Sequence, residues 1–327
     1  MSPRSGIATH PGHWLPGWWR GLRQMWVGLA LAGAALSAAA DACPPPMPTA
    51  TPAQRRAAPQ DRGLLWRATR DGRSLYLFGT LHVGKPEWRR LGPQTLAALQ
   101  DSDVLALEVD PQDPGLVQEM AEASAPAHLS APLQQRLLAA IKQACADAAL
   151  LAPLHPVLQV SLLTVLEARW LGMDPAYAQE NLLSAQARGL GLPVVALETA
   201  ALQSQALVPQ DAGQMEQLVE QSLQQLQDHS GRRVLDKLAR AWERGDEAAL
   251  QDYEQWCECV ADAAEREFLR RLNDERNPQL ADGIEARHRQ GQRVFAAVGA
   301  LHMTGPQGLP RLLRQRGFKV ERVVFNR

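Results

Sequence analysis

Two hydrophobic periods divide the chain. Near the start, short apolar runs at 64–70 and 75–78 flank the turn dipeptide Asp71-Gly72, a spacing that predicts a β-hairpin. A helix is expected over 92–100 and a strand over 104–110. In that strand Val104, Ala106, Glu108 and Asp110 would share one face, because strand side chains alternate. From about Pro114 to His288 the apolar residues instead recur at spacings of three and four, as on a helix face. The expected helices are 132–144, 157–171, 175–188, 214–227, 232–244 and 247–272. One β-type run, 192–199, interrupts them and ends in Glu198-Thr199. The glutamine-rich stretch 203–227 carries Met215, Leu218, Val219, Leu223 and Leu226, so it reads as a solvated amphipathic helix. After it come a strand at 293–298, a helix at 306–316 ended by Gly317, and a last strand at 319–325. Sheet-forming sequence thus encloses a helical middle. The expected fold is α/β (α+β), with a central mixed β-sheet formed by the N- and C-terminal thirds and the large helical middle packed over it.

The first 42 residues depart from this pattern. Arg4, Arg20 and Arg23 precede an uncharged apolar run from Met25 to Ala40, and small residues follow at Ala38, Ala40 and Ala42. This is the order of a secretory signal peptide cleaved after Ala40 or Ala42. The run is short and alanine-rich for a spanning helix. An uncleaved anchor and acylation of Cys43 are the lesser alternatives, so no stable membrane span is expected after cleavage. Residues 43–61, rich in Pro and Ala, read as a linker, and 62–327 as one domain. The whole chain of 327 residues carries a formal charge of -1, and loss of three Arg and one Asp with the leader makes the exported protein mildly acidic. No run of like charge marks a polyanion-binding tail, which argues against a nucleic-acid partner.

Export, most simply to a periplasm, would place Cys43, Cys145, Cys257 and Cys259 where disulfides persist. Four cysteines allow three pairings. With 257–259 read as helix, residues two apart would not share a face, so a bridge from Cys145 to Cys257 or Cys259 is the expected pairing.

An internal echo carries the candidate chemistry. Leu75-Tyr76-Leu77-Phe78 runs into Gly79-Thr80-Leu81-His82, and Val294-Phe295-Ala296-Ala297-Val298 runs into Gly299-Ala300-Leu301-His302. A glycine at a strand end admits a sharp turn or a close approach, and the loop beyond is where α/β proteins place ligands. A lone histidine there is usually a satisfied structural residue. Two in the same context, 220 residues apart, make a shared site the sharper reading. Neutral imidazole binds metals and acts as a base near pH 7. Two such ligands and a carboxylate would leave positions open on a divalent ion for water and substrate. Glu108 and Asp110 are the nearest carboxylates, and Glu198 is a third. The other histidines, His10, His13, His128, His155, His229 and His288, read as structural or exposed. Neither H-E-x-x-H nor G-x-S-x-G occurs.

The chain from about 62 to 327 resembles the TraB/GumN family, of one superfamily with the Tiki proteases and, more distantly, the erythromycin esterases. The residues that carry the resemblance are Gly79-Thr80-Leu81-His82-Val83-Gly84-Lys85-Pro86-x-Trp88, Leu107-Glu108-Val109-Asp110, Leu197-Glu198-Thr199, Glu275-Arg276-Asn277 and Gly299-Ala300-Leu301-His302-x-x-Gly305 with Gly308-Leu309 and Gly317-Phe318-x-Val320. The resemblance implies a mixed sheet with a helical cover and a metal-dependent hydrolase site built from His82, His302 and an acid matching Glu108. It also brings in Arg276, which could stabilise an oxyanion or clamp a substrate carboxylate, or simply pair with an acid before Pro278.

The first expectation is therefore an exported metal-dependent hydrolase acting on a peptide or another small exported substrate. His82, His302 and Glu108 would hold Mn²⁺, Co²⁺ or Zn²⁺, Glu198 or Asp110 would act as general base, and Arg276 would steady the oxyanion. The alternatives are a non-catalytic periplasmic binder of a peptide or polysaccharide precursor, and an esterase-like activity that uses histidine without a metal.

Overall fold

The computed structural model describes residues 43–124, 127–260 and 262–326. The expected leader, residues 1–42, lies outside them. Among the described residues, no helix is long and apolar enough to cross a membrane.

Six strands form one sheet: β1 (Leu64–Arg70), β2 (Arg73–Thr80), β3 (Val104–Leu107), β4 (Val194–Ala196), β5 (Val294–Gly299) and β6 (Lys319–Arg322). Their order is β4-β3-β5-β2-β1-β6. The first four run parallel, while β1 is antiparallel to both β2 and β6. The sheet is mixed, and five of its strands come from the two ends of the chain as the hydrophobic pattern predicts, while β4 is contributed by the β-type run within the helical middle. The hairpin turn is also where it was expected: Asp71 and Gly72 both take positive φ, and Arg70 pairs with Arg73.

The central strands are covered on both faces, which explains why they read as unbroken apolar runs instead of alternating. Val104 to Leu107 and Val294 to Val298 are all buried. Around them lies the main core, and a second cluster, with Leu137, Val160 and Val219, is shared by the helices Ala131–Gln143, Pro156–Leu166 and Ala212–Asp228. Trp242 ties the helical cover to the sheet. Its indole N–H donates to the Gly79 carbonyl at 2.7 Å, and its ring packs on Phe78 and Trp88.

The structure corrects several local expectations. The strand expected over 104–110 ends at Leu107, so Glu108 and Asp110 do not act from one strand face. The helix expected over 247–272 is broken into Glu247–Gln251, Tyr253–Trp256 and Ala263–Leu269, followed by a π-helical turn at Arg270–Asp274. The breaks have local causes: Glu258 takes a left-handed φ of 56°, and Asp262 starts a new helix by accepting from the Glu265 N–H.

That left-handed residue also overturns the expected cysteine pairing. Cys257 and Cys259 lie on a turn, not a helix, and bridge each other with their Cα atoms 5.1 Å apart. Cys145 pairs instead with Cys43. Residues 43–61 lie against the body: Thr51 and Gln54 form a reciprocal cap on the helix Pro52–Arg56, and the Tyr177 hydroxyl donates to the Pro48 carbonyl at 2.8 Å. The Cys43–Cys145 bridge closes a sequence separation of 102 residues. Replacing both cysteines with serine is expected to cost about 4–5 kcal/mol, because cross-linking a long loop removes the most entropy from the unfolded chain. Urea denaturation reads this directly, and an unchanged midpoint would show that the bridge does not restrain the unfolded chain.

Candidate functional site

The topology brings the two histidine loops together. Because β2 and β5 are parallel neighbours with Gly79 opposite Val298, the loops carrying His82 and His302 leave the same edge of the sheet. The flanking parallel strands β3 and β4 end at that edge too, just before Glu108 and Glu198. Gly79 serves close approach: a Cβ there would stand 3.1 Å from the Cα of Ala300.

Arg276 lies at the centre. Its Nε donates to Glu198 Oε1 at 2.9 Å, its Nη2 bonds to carboxylate oxygens of both Glu198 and Glu108, and its Nη1 lies 3.3 Å from His302 Nε2. A π-helical turn precedes it and the helix Asn277–Arg289 follows, so the guanidinium projects from an irregular junction. Glu108 also accepts from the Gly299 N–H at 2.7 Å and from Gln203 at 3.2 Å. His302 Nδ1 lies 2.7 Å from Asn277 Oδ1, and its Nε2 lies 3.8 Å from Glu108 Oε1. With Asn277 accepting, the His302 proton sits on Nδ1 and the Nε2 lone pair faces the cluster.

His82 stands apart from this knot. It donates from Nδ1 to Glu180 Oε1 at 3.0 Å, and that oxygen also accepts from the Thr80 hydroxyl at 2.6 Å. Its ring faces a cavity of about 400 Å³ and is 69 % exposed there. Glu108, Arg276 and His302 line the same cavity, and Val165, Leu235 and Leu238 supply part of its apolar wall.

The two histidines are driven in opposite directions. The Glu180 carboxylate raises His82 to about 9, outweighing burial among protein atoms and the repulsion of Arg276, although the water that reaches its ring screens this pairing. Burial lowers His302 to about 4, Arg276 pushes it the same way, and Glu108 only partly opposes them. Burial alone would raise Glu108, but His302, Arg276 and His82 hold it down at about 2. With His302 neutral near pH 7, Arg276 is the permanent charge that keeps Glu108 ionised. One cavity therefore holds a neutral imidazole and an imidazolium, a base and an acid at the same pH.

The sequence of the chain matches the profile of the TraB/PrgY/gumN family over residues 64–322, from β1 through β6. The chain belongs to the TraB/PrgY/gumN family. No curated protein and no solved structure matches it. In this member of the TraB/PrgY/gumN family, His82, Glu108, Arg276 and His302 all line the one cavity, and Glu198 is bound to it through Arg276. Asp110 is elsewhere. It is paired with Arg188 and lies 3.3 Å from Ser184 Oγ, so it does not serve this cluster as a base.

Glu180 and Asn277 were not singled out by sequence reasoning. Glu180 enters from the helix Gln179–Gly189, in a stretch that reads as ordinary amphipathic sequence. Asn277 follows Arg276 within one motif, and that adjacency was the only signal for it.

The donor types present, neutral imidazole and carboxylate, are those a divalent ion takes, and Glu180 Oε2 is buried without a hydrogen-bond partner among the described residues. The arrangement does not fit the expected centre, however. Among the described residues no three His, Cys, Asp or Glu side chains stand close enough to hold an ion. Arg276 already bonds to Glu108 and faces His302 Nε2, where a cation would meet its charge. The expected His82, His302 and Glu108 ligand set is thus not assembled.

Proposed function

We propose that this chain is an exported hydrolase that cleaves an acyl bond, a peptide bond in the first instance, with His302 and His82 as its acid–base pair. The observation that supports this reading is that one cavity with apolar walls is lined by both histidines, His82 held by the Glu180 carboxylate and His302 held by Asn277, two partners that favour opposite protonation states. Neutral His302, held through Nδ1 by Asn277, takes a proton from the attacking water at Nε2. The Arg276 guanidinium stabilises negative charge as it develops on the carbonyl oxygen. Protonated His82, aimed by Glu180, gives its proton to the leaving group. Glu108 and Glu198 hold Arg276 in place.

The competing reading is the metal-dependent one, in which His82, His302 and Glu108 bind Mn²⁺, Co²⁺ or Zn²⁺. The unpartnered buried oxygen of Glu180 favours it. The two are separated by assaying the purified protein on unstructured peptides and on activated acyl esters, with chelator and with each metal restored. Cleavage that survives chelation and is lost in His302→Ala is the expected result. Cleavage that returns only with added metal would install the metal reading, and peptide binding without cleavage would install the binding-protein reading.

A further inference from the structure

The Cys257–Cys259 bridge has no evident structural task. A cross-link between residues two apart in sequence closes almost no loop, so it removes little entropy from the unfolded chain, in contrast to Cys43–Cys145. It also encloses Glu258 in a left-handed conformation, which a non-glycine residue adopts at a cost. Its position is specific. Cys257 and Cys259 line the same cavity as His82 and Arg276, and Cys259 also lines a neighbouring cavity of about 310 Å³. Cys257 is 1 % exposed and Cys259 is half-buried, so Cys259 is the more accessible of the two residues.

We propose that Cys257–Cys259 is a thiol-exchange site in the wall of this cavity, and that its partner is a low-molecular-weight thiol. The thiolate of the small molecule attacks the sulfur of Cys259, the more accessible residue, a mixed disulfide forms there, and Cys257 leaves as a thiolate that takes up a proton. A second molecule of thiol attacks the sulfur of the bound small molecule and releases Cys259 as a thiolate. Two thiols are oxidised to one disulfide, and the protein disulfide takes up the two electrons and two protons. The cavity has room for a small thiol but not for a folded protein domain. Opening the bridge frees Glu258 from its left-handed conformation and loosens the turn between the helices Tyr253–Trp256 and Ala263–Leu269.

The test is graded reduction of the whole protein with glutathione and with dithiothreitol, followed by alkylation and peptide mass mapping. Cys257 and Cys259 are expected to be labelled at about tenfold lower dithiothreitol than Cys43 and Cys145. Glutathione is expected on Cys259 and not on Cys257. Cys257→Ser, treated with oxidised glutathione, is expected to exchange at Cys259 and hold a stable mixed disulfide there, with one reduced glutathione released as the leaving thiol. Should that variant fail to fold, hydrogen exchange on the wild-type protein decides, with faster exchange expected over 253–262 after mild reduction. Reduction of both bridges together, or glutathione on Cys257, would overturn the proposal.

Discussion

Arg276→Ala is expected to lower stability by about 3–5 kcal/mol, the range for removing one partner of a buried ion pair. The side chains of Glu108 and Glu198 are 10 % and 2 % exposed, and both bond to this one guanidinium. Without it, two buried carboxylates lose the guanidinium that both bond to, Glu108 keeps only the Gly299 N–H, Gln203 and the field of the histidines, and one carboxylate must take up a proton or draw in water. The pH dependence identifies the cause. In the native protein Glu108 is held at about 2, below its ordinary value of 4.5, so its contribution is present above 4.5 and is lost as the pH falls through 2. In the variant the carboxyl rises, so the deficit relative to wild type should shrink as the medium is acidified. Arg276→Lys is expected to recover only part of the loss, since an ammonium cannot reproduce the fork that reaches both acids and the Leu272 carbonyl. A loss below about 1 kcal/mol in urea denaturation, or a deficit independent of pH, would show that the two acids do not depend on Arg276.

The middle of the sheet was legible from the sequence because β3 and β5 are apolar end to end. The repeated Gly-x-x-His was legible as a shared site because the parallel pairing of β2 with β5 converts a sequence echo into spatial proximity. The same logic places Glu108 and Glu198, each just beyond a parallel strand. It fails for Asp110. The strand stops at Leu107, the chain bends, and Arg188 from a neighbouring helix takes that carboxylate away. Glu180 was illegible for the converse reason: its position depends on how the helix Gln179–Gly189 crosses the sheet edge, where Leu81 N–H donates to Gln179 Oε1 at 3.1 Å. The cysteine pairing was misread at a single residue. Nothing in the type of Glu258 announces a left-handed φ, and one such residue turns two cysteines that a helix would separate into a bridge.

His302→Ala is expected to reduce hydrolysis by about 10²–10⁴-fold, the usual contribution of a positioned general base, with little effect on substrate affinity. The pH profile distinguishes this role from a merely structural one. His302 is lowered to about 4, so its basic form is present above that pH and is lost as the pH falls through it. His82 is raised to about 9, so its acidic form is present below that pH and is lost as the pH rises through it. Activity should therefore form a plateau between those limits. Glu180 is the largest cause of the His82 shift, so Glu180→Gln should bring the alkaline limb down toward the ordinary histidine value near 6.5 and leave the acid limb in place. A His82 that merely shaped the loop would lower the rate evenly at every pH when its partner was changed. Movement of the alkaline limb alone ties the proton of His82 to turnover, and a limb that stays put in Glu180→Gln would remove His82 from the role of acid.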